Sequence, residues 1–326
     1  MHTSNYLGAR FMSEFKILIS DGLAANGQAL LSAAGQVDDR KGITVEELLE
    51  VIGEYDALIV RSRTKVTKAI FAAGKKLKVV GRAGVGVDNV DLSAAQQHGV
   101  TVVNAPLGAT IAVAELAMAL MISLARNVAQ ADESMKHGQW LKNQLMGGEL
   151  YGKTLGIVGM GRIGIAVAER AAAFGMPIVL GYDTAREKIA ELRAHGYEPV
   201  TLDELYARSD YITIHTPLNQ ETRNMIDGQA LSKMKRGVRL ICTARGGIID
   251  ETALLAALES GQVAGAGLDV FANEPPGLSA LVAHTNVIAT PHIGAQTHEA
   301  QDRAAVDIAN EVLAALRGET LKFKII

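Results

Sequence analysis

Cysteine is almost missing from this chain. One residue in 326, Cys242, leaves nothing to pair with, which excludes an internal disulfide framework and fits a reducing compartment. It closes an apolar run, a place that favours a buried structural thiol over a nucleophile. An excess of one charge sign is lacking too. The 32 Lys and Arg against 35 Asp and Glu leave a formal net charge of −3, so the basic footprint of a nucleic-acid partner is not expected. The longest apolar stretch, Ile111 to Ala125, is broken by Glu115 and is too short to span a bilayer. It is expected to be a buried helix between domains, with no membrane partner. No apolar signal region follows residues 1–11, which are expected to be a flexible extension or a tag, and cytoplasm is the default location. The histidines show no HExxH or comparable spacing, so no metal is expected. Neither a G-x-S-x-G elbow nor a P-loop occurs, which removes the commonest hydrolase and nucleotidase chemistries.

What is present is a soluble balance, 48% apolar and 21% charged, in a chain long enough for two cores. Short apolar runs alternate with helical stretches: Ile17 to Ile19, Ala57 to Val60, Lys78 to Val80 and Val100 to Val103 punctuate the first hundred residues. A second series opens at Thr154 and runs through Ile178 to Leu180, Tyr211 to Ile214, Val238 to Cys242, Val263 to Phe271 and Val287 to Ala289. This βαβ rhythm predicts an α/β protein of two doubly wound parallel-sheet domains. Glu299 to Leu316 reads as one more helix, which the pattern alone does not assign to either domain.

In the second series, Leu155 to Val158 leads into Gly159-Met160-Gly161-Arg162-Ile163-Gly164, and a helical pattern follows. Between a strand and a helix, such glycines let the backbone approach a pyrophosphate. Asp183 ends the next strand, where a carboxylate accepts from an adenosine ribose and repels a 2′-phosphate, so NAD is expected over NADP. Arg186, a nearby cation, could tolerate a phosphate. Thr216, in His215-Thr216-Pro217, is placed near the cofactor, whereas His215 is expected to be packed. A second glycine loop, Gly81 to Asn89, has Asn89 where a third glycine would be required. Its better reading is an anion-binding nest of backbone N–H groups at Gly84, Val85 and Gly86, with Arg61, Arg63 and Arg82 adding positive charge to the rim. A tight structural turn and solvated arginines are the plain alternatives.

Arg245, Glu274 and His292 each follow an apolar run. In an open parallel sheet the crevice beyond the strands' carboxyl ends is where ligands bind. A cation, a carboxylate and an imidazole there suit the oxidation of a hydroxy acid or the reduction of a keto acid. A structural salt bridge and a helix-capping histidine are the competing readings of the same residues.

Taken together, the Gly159 to Gly164 loop with Asp183, Thr243-Ala244-Arg245-Gly246-Gly247, Leu268-Asp269-Val270-Phe271 with Asn273-Glu274-Pro275-Pro276, and Thr290-Pro291-His292-Ile293-Gly294-Ala295 resemble the D-isomer-specific 2-hydroxyacid dehydrogenases. Arg61-Ser62-Arg63-Thr64-Lys65-Val66 and Gly81 to Asn89 look most like the members that oxidise 3-phosphoglycerate. The resemblance implies a flavodoxin-like substrate domain from both chain ends, 12–107 and 297–326, around a Rossmann NAD domain, 108–296, with the active site between them. It implies Arg245, Glu274 and His292 as the catalytic set. Gly159, Gly161, Arg162, Ile163, Gly164, Asp183, Thr216, Thr243, Asp269, His292 and Gly294 are the implied cofactor residues. Arg61, Ser62, Arg82, Gly84, Val85, Gly86, Arg245 and His292 are implied for a small anionic 2-hydroxy or 2-keto acid.

A homodimer through the NAD domain is further implied. His292 would move the hydroxyl proton, Glu274 would hold the far ring nitrogen, and Arg245 would clamp the carboxylate. Formate-oxidising members pair the histidine with Gln, so Glu274 points to proton transfer. Two departures stand out: Cys242 replaces a frequent asparagine, and Trp140-Leu141-Lys142 lacks an arginine that the phosphoglycerate enzymes can carry. With nothing after Ile326 to supply a regulatory domain, feedback through one is not expected. The alternatives are a glyoxylate or hydroxypyruvate reductase and, from another class, an NAD-sensing corepressor-like protein.

Overall fold

The structure, a computed structural model, describes residues 15–326, with 186 and 187 described by their backbone alone. The expected extension at 1–11 and the side chain of Arg186 lie outside the described residues. The chain begins with β1 (Phe15–Ile19), α1 (Ala25–Ser32), β2 (Gly35–Asp39), α2 (Val45–Val51), β3 (Ala57–Val60), α3 (Lys68–Ala73), β4 (Val79–Arg82), α4 (Leu92–Gln97) and β5 (Thr101–Asn104). It continues through α5 (Thr110–Arg126), α6 (Val128–Lys136), β6 (Thr154–Val158), α7 (Arg162–Ala173), β7 (Ile178–Tyr182), α8 (Arg186–Ala194), β8 (Glu198–Pro199) and α9 (Leu202–Arg208). The remaining elements are β9 (Tyr211–Ile214), α10 (Gly228–Lys233), β10 (Val238–Cys242), α11 (Glu251–Glu259), β11 (Val263–Leu268), β12 (Val287–Ala289) and α12 (His298–Arg317). Two compact units result, one from the chain up to Ala109 and from His298 onward, the other Thr110–Thr297.

The first unit holds a parallel five-stranded sheet in the order β2-β1-β3-β4-β5, the flavodoxin-like order. All four residues of β3 are buried, as expected of a parallel strand covered on both faces. Helix α12 packs on α1 and across β4. Gly81 on β4 makes room for it, since a Cβ there would lie 2.5 Å from Val312 Cγ2. The buried carboxylate of Glu311 accepts the N–H groups of Lys322 and Phe323. That directs the last residues antiparallel along β5, where Val103 bridges Lys324 and Ile325 N–H donates to the Val102 carbonyl at 2.8 Å. The polar β2 does not stand out in the alternating apolar pattern: its five residues include none that is fully buried.

The second unit holds a parallel seven-stranded sheet in the order β12-β11-β10-β9-β6-β7-β8. Counted from β6, this is a Rossmann order with one added strand, and it reverses between β6 and β9. Helix α5 buries nine residues and lies against β10 and β11. Gly267 on β11 permits the approach, because a Cβ there would stand 2.9 Å from Leu120 Cβ. Thr201 and Glu204 cap α9 reciprocally, and Asp227 and Asp250 cap α10 and α11. Among the described residues no single helix is long and apolar enough to cross a membrane.

Candidate active site

The sheet reversal sets the end of β6 beside the end of β9, and the three glycines of the loop divide the work there. Gly159 has φ +94°, and a Cβ on it would lie 2.8 Å from the carbonyl carbon of His215. Gly164 presses on the Gly159 carbonyl oxygen, which a Cβ would strike. Gly161 behaves differently: as N-cap of α7 it makes no side-chain cap, and a Cβ there would meet nothing within 4 Å. It leaves an open cradle in front of the first N–H groups of α7, where a helix lacks internal acceptors and favours an anion.

Asp183 stands beside this cradle. Its two oxygens accept the N–H groups of Met160 at 2.9 Å and Ala185 at 3.0 Å, which fixes the carboxylate at the end of β7. Two hydroxyls on the same rim, Thr216 Oγ1 and Thr243 Oγ1, are buried with no hydrogen-bond partner among the described residues. Buried polar atoms rarely stay unsatisfied. The cradle, the fixed carboxylate and the two waiting hydroxyls therefore fit a dinucleotide. His215 is packed as expected: Nε2 lies 2.9 Å from Thr213 Oγ1, and burial drives its pKa down to about 3.

His292 and Glu274 meet at the ends of β12 and β11. Nδ1 of the ring and Oε2 of the carboxylate are 2.8 Å apart, with both side chains partly exposed. The other Glu274 oxygen accepts the N–H of Phe271 at 3.1 Å, so the carboxylate is held before it meets the ring. A carboxylate at Nδ1 makes that nitrogen the donor and leaves Nε2 as the one able to take a proton. The backbone at His292 is left-handed, φ +53°, a conformation uncommon without glycine. Asp269 stabilises it. This fully buried carboxylate accepts the Thr290 hydroxyl at 2.6 Å and the N–H groups of Ile293 and Gly294, each at 2.8 Å. Three of its roughly four acceptor positions therefore serve the loop that carries His292, which is more than the cofactor contact expected of it.

Arg245 follows β10, with Nη1 donating to the Ala244 carbonyl at 2.7 Å. The next residue, Gly246, touches the neighbouring strand end so closely that a Cβ would strike the Phe271 carbonyl. The Arg245 loop and the start of the Glu274 loop are thus in backbone contact. Cys242 is buried, and that burial pushes its thiol up to about 11, which fits a packing role. Among the described residues no cluster of His, Cys, Asp and Glu could hold a metal.

The first unit places Arg61 and Ser62 after β3, with Arg82 at the end of β4. Gly84, φ +151°, lies beneath the Arg82 guanidinium, which a Cβ would strike. The Gly84 N–H donates back to the Arg82 carbonyl at 2.8 Å, leaving Val85 and Gly86 as the nest's donors without an acceptor among the described residues. Asn104 braces the turn by donating to the Val85 carbonyl at 2.6 Å. Arg63, expected on the rim, instead donates to the Ile43 and Ser20 carbonyls and pairs with Asp21 at 3.1 Å.

Asp21 belongs to none of the motifs read from the sequence, although a carboxylate directly after β1 is a visible signal. It accepts the N–H groups of Arg61 and Thr64 and the Thr64 hydroxyl. Burial alone would raise its pKa, but these bonds and the charge of Arg63 outweigh it and hold the carboxyl below its usual range. Asn89, which breaks the third-glycine position, donates from the other side to the Arg61 and Thr64 carbonyls at 2.8 and 2.6 Å.

Comparison with known proteins agrees with this geometry. Residues 118–294 match the model of the D-isomer specific 2-hydroxyacid dehydrogenase, NAD binding domain. The chain is 47% identical over 305 residues to a D-3-phosphoglycerate dehydrogenase of Synechocystis sp., covering 93% of this chain and 54% of that protein. It is 48% identical over 306 residues to one of Methanocaldococcus jannaschii, covering 93% and 58%. The chain thus spans about half the length of the curated relatives it matches. Among solved structures, one from Thermus thermophilus superposes with a TM-score of 0.87 at 35% identity, covering 95% of this chain and 100% of that one. A glyoxylate reductase from Paecilomyes thermophila gives 0.85 at 33%, covering 96% and 99%. With an NAD-binding domain matched over more than half its length, this chain belongs to the D-isomer specific 2-hydroxyacid dehydrogenase family.

Proposed function

We propose that this chain is an NAD-dependent dehydrogenase of D-2-hydroxy acids whose substrate is D-3-phosphoglycerate. The observation that carries the chemistry is the 2.8 Å His292–Glu274 pair on the same strand-end rim as the dinucleotide cradle. Bound in that cradle, NAD supplies the hydride acceptor. Arg162 and Ile163 present backbone N–H groups to its phosphates, Asp183 takes the ribose, and Thr216, Thr243 and Gly294 line the remainder. His292 removes the hydroxyl proton at Nε2 during oxidation and returns it during reduction. Glu274 holds Nδ1–H and stabilises the imidazolium, and acid–base assistance of this kind is worth roughly 10²- to 10⁴-fold. Arg245 clamps the carboxylate and polarises the oxygen on C2. Arg61, Ser62, Arg82 and the amides of Val85 and Gly86 supply further anion contacts.

The choice of phosphoglycerate rests on relatives of 46–49% identity that carry that name. NADH oxidation followed at 340 nm with 3-phosphohydroxypyruvate, hydroxypyruvate and glyoxylate tests it. The phosphorylated acid should give the highest kcat/KM. Efficient turnover of hydroxypyruvate or glyoxylate with none of the phosphorylated acid would make the chain a reductase of those acids, and no turnover of any would remove the enzyme. The partner is a second copy: Met135, Trp140, Met146 and Tyr151 expose large apolar surfaces on one stretch of the NAD-binding unit. Light scattering should give twice the 34.5 kDa of one chain.

A further inference from the structure

The opposite rim of the second sheet, at the amino ends of β10, β11 and β12, encloses a cavity of about 50 Å³. Leu124, Asn127, Gln130, Arg239 and Asn286 are among its walls. One water needs roughly 10–15 Å³ of such space, so the cavity takes a ligand of about four or five non-hydrogen atoms. In strand register the residue opposite Arg239 is Gly265, so no side chain from that position fills the space beside the guanidinium. A Cβ on Gly265 would lie 3.1 Å from both Leu124 Cδ2 and the Asn286 carbonyl oxygen, closing the walls inward.

Two amides at this wall are already engaged, Asn127 Nδ2 with the Met146 carbonyl at 3.4 Å and Gln130 Nε2 with the Thr285 carbonyl at 2.7 Å, and Arg239 is the one charged residue among the lining residues. Arg239 rests over the Tyr211 ring, 5.5 Å from its centroid, and among the described residues it makes no ion pair or side-chain hydrogen bond. Asp210, which adjoins the Tyr211 that Arg239 faces across the strand pair, is engaged by Lys235 Nζ at 2.9 Å and by the Thr154 N–H at 2.8 Å. Independently, α6 begins at the same wall. It is nine residues long, its N-cap Asn127 is left-handed, and no side chain caps it. The N–H groups of its first turn therefore lack intrahelical acceptors. The carboxyl end of α5 meets the amino end of α6 at this corner, and their opposed dipoles offset each other. Arg239 then sets the sign of the cavity.

We propose that this cavity is a binding site for a small monocarboxylate, separate from the candidate active site. The flat guanidinium fork matches two coplanar oxygens. A single cation balances a monoanion, whereas a phosphate dianion would leave charge uncompensated in a partly enclosed space.

The test is calorimetric titration of the NAD-saturated Arg245→Gln protein, in which the proposed active-site carboxylate clamp is removed, with acetate and, as a contrast, inorganic phosphate. The expected result is saturable binding of acetate with a dissociation constant on the order of 1 mM. Adding Arg239→Gln should weaken it at least tenfold, while any phosphate binding should not respond to Arg239→Gln. Ala264 also lines the cavity; Ala264→Leu, which adds bulk there while keeping Arg239, should abolish acetate binding as well and guards against a misfolded Arg239 variant. Absence of saturable acetate binding, equal binding with Arg239→Gln added, or phosphate binding that is tighter than acetate and lost with Arg239→Gln would each overturn the proposal.

Discussion

Replacing His215 by Gln should flatten the pH dependence of stability. In the folded protein this imidazole bonds Thr213 and is held neutral by burial, with its pKa near 3 against 6.5 for the unfolded side chain. Between pH 7.5 and 5.0 the unfolded chain gains a proton there and the folded chain does not, so stability falls as the pH falls. At about 1.36 kcal/mol per pKa unit, the loss over that interval is about 2 kcal/mol. For a unit of this size that corresponds to a Tm shift of about 4–8 °C. Urea unfolding at several pH values measures the quantity directly. The wild type should lose about 2 kcal/mol more than His215→Gln between the two pH limits, and titration elsewhere cancels in the comparison. Equal losses in the two proteins would refute the assignment of a buried neutral imidazole, as would an NMR titration of His215 with a midpoint above pH 5.

Gly161→Ala adds a methyl in open space, so it should leave Tm within about 1 °C of the wild type while weakening NADH at least tenfold in a fluorescence titration. Gly164→Ala should instead destabilise the fold, because its methyl strikes the Gly159 carbonyl; a wild-type Tm would count against the packing. Asp269→Asn replaces an acceptor that serves three donors by a group with one acceptor atom, and should lower stability by roughly 2–3 kcal/mol in urea while kcat falls. His292→Gln should lower kcat for keto-acid reduction by roughly 10²- to 10⁴-fold with the NADH dissociation constant essentially unchanged; an unaltered kcat would remove the histidine from proton transfer.

Parallel strands covered on both faces make continuous apolar runs, which is why β3, β9 and β10 are legible in the sequence. The edge strands β2 and β8 are not, since Gly35–Asp39 and Glu198–Pro199 are half-solvated and carry little apolar signal. Strand-end position makes Arg245, Glu274 and His292 visible as a group. Their supports are harder to see. Asp269 reaches donors more than twenty residues away, and Asp21 holds a loop about forty residues distant. No local pattern encodes such spans. Arg61 and Arg63 likewise look equivalent in sequence, and only the tertiary contacts with Ile43, Ser20 and Asp21 separate the second as structural.

The contact of Gly246 with the Phe271 carbonyl couples two loops that the sequence keeps apart. A larger residue at 246 would displace the loop that carries Arg245 and, through Phe271, the N–H that aims Glu274. On the proposed function, carboxylate recognition and proton transfer would fail together from a change that touches neither side chain. Attempts to redirect the proposed activity to other acids therefore have little room in that loop, and diversification belongs to surfaces that do not share the joint.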